Sequence, residues 1–379
     1  MLTNLCYNPP MKKIYAYNHD PIPFDFAQTI DRFYVEEIPL YPFKEKGAYL
    51  ILKIQKQEMS TFKLITVLAK ATQLETKEIG YAGLKDKSAT TIQYISIPKK
   101  HEKEVIKNLT TQKIEILEKH YSKFPIKIGQ LKGNKFAIVL HHVTPQANEA
   151  IQEVARQMVQ DGIPNYFGYQ RFGEDSKSYL QGKEIAHSGK KLKGAKERLL
   201  VASYQSHLFN AWLNERVRIS KIIHEKPLEK ASKKLSYPKG LVELLQEQPQ
   251  FFKLFIGDDI QTYPYGKSFF FRTFNGVCKA FLAHNVSPTG LLCGSHAKRA
   301  IADARHLEEP FDDHELYSLK GERRFAWIFP ENLAFSYDEK KAQLRMQFYL
   351  PKGAYATTFL EEIGKRSLKP KKKVSKELL

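Results

Sequence analysis

Cysteine is scarce: the 379 residues include three, Cys6, Cys278 and Cys293. Few, odd in number and far apart, they exclude a disulfide framework and fit a reducing cytoplasm. No run approaches the roughly 20 consecutive apolar residues that a membrane-spanning helix needs. Met1–Pro10 lacks a charged region followed by an apolar stretch, so no secretory signal is expected. There is no internal repeat, no P-loop and no dinucleotide-binding glycine fingerprint. Acidic residues are in deficit as well: 41 Asp and Glu stand against 60 Lys and Arg, a formal net charge of +19. A surplus of that size points to a polyanionic partner, nucleic acid or an acidic membrane surface, or to a merely basic soluble protein.

What is present can build a core. The chain is 42% hydrophobic, with 24 Phe and 20 Tyr, and its length suggests two domains. Phe33, Val35 and Glu37 alternate with Tyr34 and Glu36 until Pro39, a strand signature. Further strands are expected at Tyr49–Ile54, Thr91–Ile97, Lys113–Leu117 and Asn134–His141. Ser60 or Thr61 can cap a helix to about Ala71, with Phe62, Leu64, Ile65 and Leu68 on its apolar side. Short and longer helices are expected at Lys99–Leu109 and Pro145–Gln160. After Gly173 the texture changes. Ser176–Ser206 is lysine-rich, with Gly182, Gly189 and Gly194 as breaks. A long helix then stacks Leu200, Tyr204, Leu208 and Trp212. Strand texture returns late, with Leu344, Met346, Phe348 and Leu350 alternating before Pro351. Both ends therefore look alike and the middle looks inserted. The last basic stretch, Lys365–Lys376, reads as a solvated tail able to touch a phosphate backbone.

The most informative segment is Gly80–Gln93. It is a glycine-containing turn leading into a strand, and it sets Asp86 between Lys85 and Lys87. Two ammonium neighbours would favour the ionised carboxylate and gather phosphates around it. Such an Asp can serve as nucleophile or base. The plainer alternative is a turn-capping Asp with lysines facing water.

Ala82-Gly83-Leu84-Lys85-Asp86-Lys87-Ser88-Ala89-Thr90-Thr91-Ile92-Gln93 resembles the signature of the TruD family of tRNA pseudouridine synthases. Other segments resemble that family in the same order: Phe33–Pro39, Lys132–Phe136, Pro164–Gly173, Tyr204–Asn210 and Leu350–Thr357. The resemblance implies an isomerase that converts a uridine, uridine 13 in the D arm of tRNA, to pseudouridine in the cytoplasm. It implies no cofactor and no metal. By the resemblance Asp86 is the catalytic aspartate, and Phe33 an aromatic that stacks near the base. Asn134 and Phe136 hold the nucleotide, and Tyr355 lines its pocket. Arg171 lies in the segment beside the catalytic cleft. Two departures stand out. Gly47-Ala48-Tyr49 replaces an acidic residue and a His, and Arg32 replaces the Asp that usually precedes the stacking Phe.

The chemistry agrees with these roles. The enzyme must take the uridine out of its stack, and unstacked bases are held on aromatic faces, worth roughly 1–3 kcal/mol each. Phe33, Phe136 and Tyr355 are candidate platforms, and the Asn134 amide suits a pyrimidine edge. Each has an alternative. Phe33 and Phe136 sit on strands, where Phe is usually core. Asn134 can form a turn after Gly133, Tyr355 can pack the last helix, and Arg171 can pair with an acidic neighbour instead of a phosphate. Cys293-Gly294-Ser295-His296 has a loosely zinc-like spacing, but no second pair accompanies it. His141 and His142 would point to opposite faces of a strand. Gly290–Ser295 could cradle a phosphate ahead of a helix starting near Ser295 and carrying Lys298 and Arg299. A capped helix is the preferred reading there.

The expected fold is α+β. A mixed, mostly antiparallel sheet forms a catalytic domain from residues 1–165 and 325–379, and 166–324 form a helix-rich inserted domain. tRNA is expected in a basic cleft between them, with Lys85, Lys87, Lys132, Lys135 and Arg171 as phosphate contacts. A monomer without protein partners is the simplest arrangement. Rival readings are a non-catalytic RNA-binding protein and a methyltransferase, the latter disfavoured by the missing glycine-rich cofactor loop.

Overall fold

The structure is a computed structural model and describes residues 12–85, 87–109, 113–173, 175–273 and 276–370. The chain divides into two compact units. One comprises Ile22–Arg156 and Pro330–Ala356; the other comprises 12–21, Gln157–Phe329 and Thr357–Lys369. These limits differ from the 165/166 and 324/325 boundaries expected from sequence. The limit between Arg156 and Gln157 falls inside the helix Pro145–Asp161.

The first unit is built on one large sheet. Its strands are β1 (Phe33–Pro39), β2 (Tyr49–Gln57), β3 (Gly80–Tyr81), β4 (Thr90–Pro98), β5 (Ile114–Ser122) and β6 (Leu131–Leu140), joined late by β13 (Glu331–Asp338) and β14 (Gln343–Pro351). The order is β13-β14-β6-β1-β4-β2-β5, with β3 beside β4. Only the β1–β4 contact is parallel among these described pairs, so the fold is α+β with a mostly antiparallel sheet. β4, Thr-Thr-Ile-Gln-Tyr-Ile-Ser-Ile-Pro, is rich in β-branched and aromatic residues that suit a pleated surface. Thr90 to Ile97 are all buried, as a central strand covered on both faces requires.

Helix α1 (Thr61–Thr72) starts because the Ser60 hydroxyl accepts the Lys63 N–H at 3.2 Å. It turns Leu64, Ile65 and Leu68 onto Leu50, Leu52, Ile54, Ile95 and Ile97. Each such burial stabilises the unit by roughly 1.5–3 kcal/mol. Phe62, expected on that side, is instead 59% exposed. It lies two residues before Leu64, about 200° away around the helix. Helix α2 (Glu102–Asn108) adds Val105 to the same core.

The second unit is organised by α5 (Ala195–Glu225), a 31-residue helix. Against it lie α4 (Ser178–His187) and the four-stranded sheet β11-β10-β8-β9. These strands are β8 (Asp259–Thr262), β9 (Ser268–Phe270), β10 (Val286–Leu292) and β11 (Glu322–Phe325). Gly182 is not a break but an interior residue of α4: a Cβ there would lie 2.0 Å from the Leu200 carbonyl. The helix expected near Ser295 does not form. Ser295 donates its N–H to the Leu319 carbonyl at 2.6 Å and accepts from Gly321 at 3.0 Å. Its backbone groups are used in a bridge to Lys320, and the helix begins at Ala302.

Candidate active site

Register decides which side chains share a face. Across β1 and β6, Val35 faces Phe136 and Glu37 faces Asn134. Across β6 and β14, Asn134 faces Leu350 and Phe136 faces Phe348. Thr91 of β4 lies beside Val35 and opposite Lys56 of β2, and Gln93 follows two residues on. Side chains alternate along a strand. Phe33, Val35, Glu37, Thr91, Gln93, Asn134, Phe136 and Lys56 therefore occupy one inner face. Lys135 falls on the other face, where it lines an open groove of about 530 Å³ with Tyr34, Glu36, Arg345 and Gln347. There Lys53 bridges Glu36 at 3.0 Å and Glu118 at 2.8 Å. The Lys53 bond, with His120, holds the Glu118 carboxyl below its ordinary range.

The inner face joins aromatic and polar groups. Phe33 is 3% and Phe136 7% exposed. Their ring centroids are 6.0 Å apart, and Phe136 stacks on Phe348 at 5.5 Å. Next to them Glu37 is 1% exposed. The Lys85 ammonium donates to its Oε2 at 2.6 Å, and that lysine side chain is 5% exposed. The Lys85 N–H donates to Thr61 Oγ1 at 2.9 Å, and the Thr61 hydroxyl donates to Gln93 Oε1 at 3.0 Å. Lys85 is thus held at both ends, from β1 and from the first turn of α1. Three atoms around this pair are buried with no hydrogen-bond partner among the described residues: Thr91 Oγ1, Gln93 Nε2 and Asn134 Oδ1. Most buried polar atoms are satisfied, so a cluster of exceptions on one face marks a place built for something else. Lys56 is also buried here and donates to the Met59 carbonyl at 2.5 Å.

Asp86 lies outside the described residues. Of the two lysines that flank it in sequence, Lys85 points inward onto Glu37, whereas Lys87 is exposed. Lys87 lines a cavity of about 590 Å³ beside the turn, with Thr29, Glu58, Ser88 and Lys113. Lys85 was expected on a phosphate, but its buried ion pair leaves it no surface for one. Lys132 is exposed, two residues before Asn134, at the irregularity where the β1–β6 register shifts between Ile38 and Pro39. Tyr355 is half-buried in the link after β14. Asn134 is a strand residue, not part of a turn.

Arg171 belongs to the second unit. Its Nε donates to Ser206 Oγ at 2.9 Å and its Nη2 to the Ala202 carbonyl at 3.3 Å, with the guanidinium 5.6 Å from the Phe167 ring. Neither a phosphate nor an acidic neighbour is needed to explain that position. The surrounding Asn165–Gly173 segment is clamped by α5: Asn210 accepts the Phe167 N–H at 2.8 Å and donates to its carbonyl at 3.0 Å.

Sequence reading missed Glu37, Thr61, Thr91, Gln93 and Lys56 as site residues. One signal was available. The inward positions of β1 read Phe33, Val35, Glu37, and a carboxylate in an apolar row needs a buried partner.

A family model described as tRNA pseudouridine synthase D (TruD) matches residues 11–200, half of the chain. The chain belongs to the TruD family. Among relatives, the tRNA pseudouridine synthase D of Wolinella succinogenes is 43% identical over 361 residues, covering 95% of this chain and 99% of that protein. The tRNA pseudouridine synthase D of a Nitratiruptor strain is 42% identical over 360 residues, with the same coverage. A crystal structure of a Methanosarcina mazei TruD protein superposes with a TM-score of 0.66 at 21% identity, covering 93% of this chain and 96% of that one. At that identity it establishes the TruD fold. Among the described residues no helix is long and apolar enough to cross a membrane.

Proposed function

We propose that this TruD-family isomerase converts uridine in tRNA to pseudouridine, at uridine 13 of the D arm, with the Asp86 carboxylate as its nucleophile. The observation that carries this reading is the inner face of the sheet. It sets unsatisfied amide and hydroxyl atoms of Asn134, Gln93 and Thr91 beside aromatic rings and beside Lys85, the residue that precedes Asp86 in the sequence. The net reaction breaks N1–C1′ and forms C5–C1′. The proton on C5 leaves to solvent, and N1 gains one. No electron is transferred and no group is lost. Three roles are open to the carboxylate: addition to C1′, addition to C6, or removal of a 2′ proton. Each needs it ionised and placed.

The extruded base would meet the Asn134 amide at its edge, between the Phe33–Phe136 wall and Tyr355. Aromatic contact of this kind is worth roughly 1–3 kcal/mol per base. Arg171 supports the α5 side of its own unit. Lys87 and Lys132 are the exposed cations best placed for phosphates.

The test is tritium release from tRNA labelled at uridine C5. Wild type should release tritium and Asp86→Ala should not. Tight binding of tRNA without release would instead favour a non-catalytic RNA-binding protein. Release dependent on an added methyl donor would favour a methyltransferase.

A further inference from the structure

The Lys85–Glu37 pair has a job beyond stability. Two opposite charges, both nearly excluded from water, sit one residue before the proposed nucleophile. Buried ion pairs contribute little net stability, because desolvation offsets their attraction. What they do contribute is a defined position. Here the pair is tied further, since the Lys85 N–H is bound to Thr61 and Thr61 to Gln93. Gly83 packs closely over the pair: a Cβ there would lie 3.2 Å from the Lys85 ammonium, a tight contact, and 3.5 Å from Glu37 Oε2.

We propose that Glu37 is a positioning residue for the reaction, acting through Lys85. It draws the Lys85 ammonium inward and neutralises it, so that this cation does not capture the carboxylate of the next residue. The inference rests on Asp86 being the nucleophile. Without Glu37, Lys85 would be left with a buried, uncompensated charge next to a carboxylate in the chain. An ammonium in that state pairs with the nearest anion, and an ion-paired carboxylate is both displaced and less nucleophilic.

The charged groups around the pair are few. On the inner face they are Glu37 of β1 and Lys56 of β2, the latter donating to the Met59 carbonyl. β4 and β6 present Thr91, Gln93 and Asn134 there, none of them titratable. α1 carries Lys63 and Lys70 on its exposed side. From the segment before β1, Asp31 and Arg32 pair with each other at 3.6 Å. From the turn itself comes the exposed Lys87.

The experiment measures kcat and KM on C5-tritiated tRNA from about pH 3.5 to 9, so that the acid limb of a carboxylate with an ordinary pKa near 3.9 falls inside the window, with thermal melting alongside. The proteins are wild type, Glu37→Gln, Glu37→Asp and Glu37→Gln/Lys85→Gln. Glu37→Gln should lower kcat by about tenfold or more while KM stays within about twofold. The acid limb of its kcat profile should move to lower pH, because the freed Lys85 cation favours the ionised carboxylate. Removing that cation in the double variant should return the limb to its wild-type position. If Glu37→Gln is too unstable to assay, Glu37→Asp takes its place. It keeps the charge that neutralises Lys85, so kcat should stay within about threefold of wild type with the acid limb unmoved, and a tenfold loss there overturns the proposal. A Glu37→Gln enzyme with wild-type kcat and pH profile overturns the proposal. So does a melting loss whose kcat deficit leaves the acid limb in place in Glu37→Gln. Failure of the underlying reading looks different: wild type would release no tritium, or Asp86→Ala would release as much.

Discussion

Arg216 is 1% exposed, and its guanidinium grips Asp258 through two bonds of 2.7 and 2.8 Å. It lies 5.0 to 5.3 Å from the rings of Trp212, Phe252 and Phe255. Like Lys85–Glu37, it is a buried pair, but it lies in the other unit, far along the chain from the segment around Asp86. Removing one partner strands the other charge, so Arg216→Met should cost about 3–5 kcal/mol in denaturant unfolding. Arg216→Met/Asp258→Leu should recover most of that. His207 gives a pH prediction at the same scale. Its ring stacks on Tyr179 at 3.9 Å, and burial pushes its pKa down to about 4, with Lys183 adding to the shift. Between pH 6.5 and about 4 the unfolded chain binds this proton and the folded chain does not. The His207 contribution is therefore present above pH 6.5 and lost as pH falls toward 4, on the order of 3 kcal/mol at most. His207→Phe should flatten the acid side of the melting curve; an unchanged slope would reject the assignment. Residues of this kind are only half legible in sequence. Asn134 and Phe136 could be placed inward from alternation alone. The partner of Lys85 could not, because it lies 48 residues away and meets Lys85 only after β1 and β4 pair.

Elements were legible where local chemistry and tertiary demand agreed. Ser60 capped α1 and alternation marked β1 and β14, and all three elements form where their residues call for them. They misled where a distant segment competed for backbone bonds, as Leu319 and Gly321, either side of the isolated Lys320 bridge, do for Ser295. They also misled where glycine served contact and not freedom. Gly182 is such a case. In an exposed helix Gly→Ala stabilises by roughly 1 kcal/mol. In α4 the added methyl would meet the Leu200 carbonyl at 2.0 Å and the Tyr204 Cβ at 3.1 Å. Backbone cannot yield as a flexible side chain can, so α4 must move off α5. Gly182→Ala should therefore destabilise by about 1–3 kcal/mol, the usual cost of overpacking. A neutral or raised melting temperature would show that the two helices are looser than their contact implies.

A formal charge of +19 acts on the whole molecule and says little about which lysines touch RNA. Such a field speeds association with any polyanion and is screened by salt. Individual contacts appear in the slope of log K against log salt, which loses roughly 0.7–0.9 for each phosphate contact removed. The structure separates the candidates by position. Lys132 is exposed two residues from Asn134 at the β1–β6 irregularity, Lys87 borders the turn before β4, and Lys135 points to the side opposite Asn134. If tRNA is drawn to the inner face, Lys87→Gln and Lys132→Gln should each reduce the slope by that amount. Lys135→Gln should weaken binding only through net charge, with the slope unchanged. Filter binding from 50 to 300 mM salt distinguishes these cases, with the proposed nucleophile removed as Asp86→Ala in the background so that turnover does not distort the isotherm. Equal slope changes for all three lysines would mean that RNA is held by the field of the whole surface and not by the face that carries Asn134. The inner-face polar cluster would then have to be assigned to the fold, and the site argument built on it would fail with it.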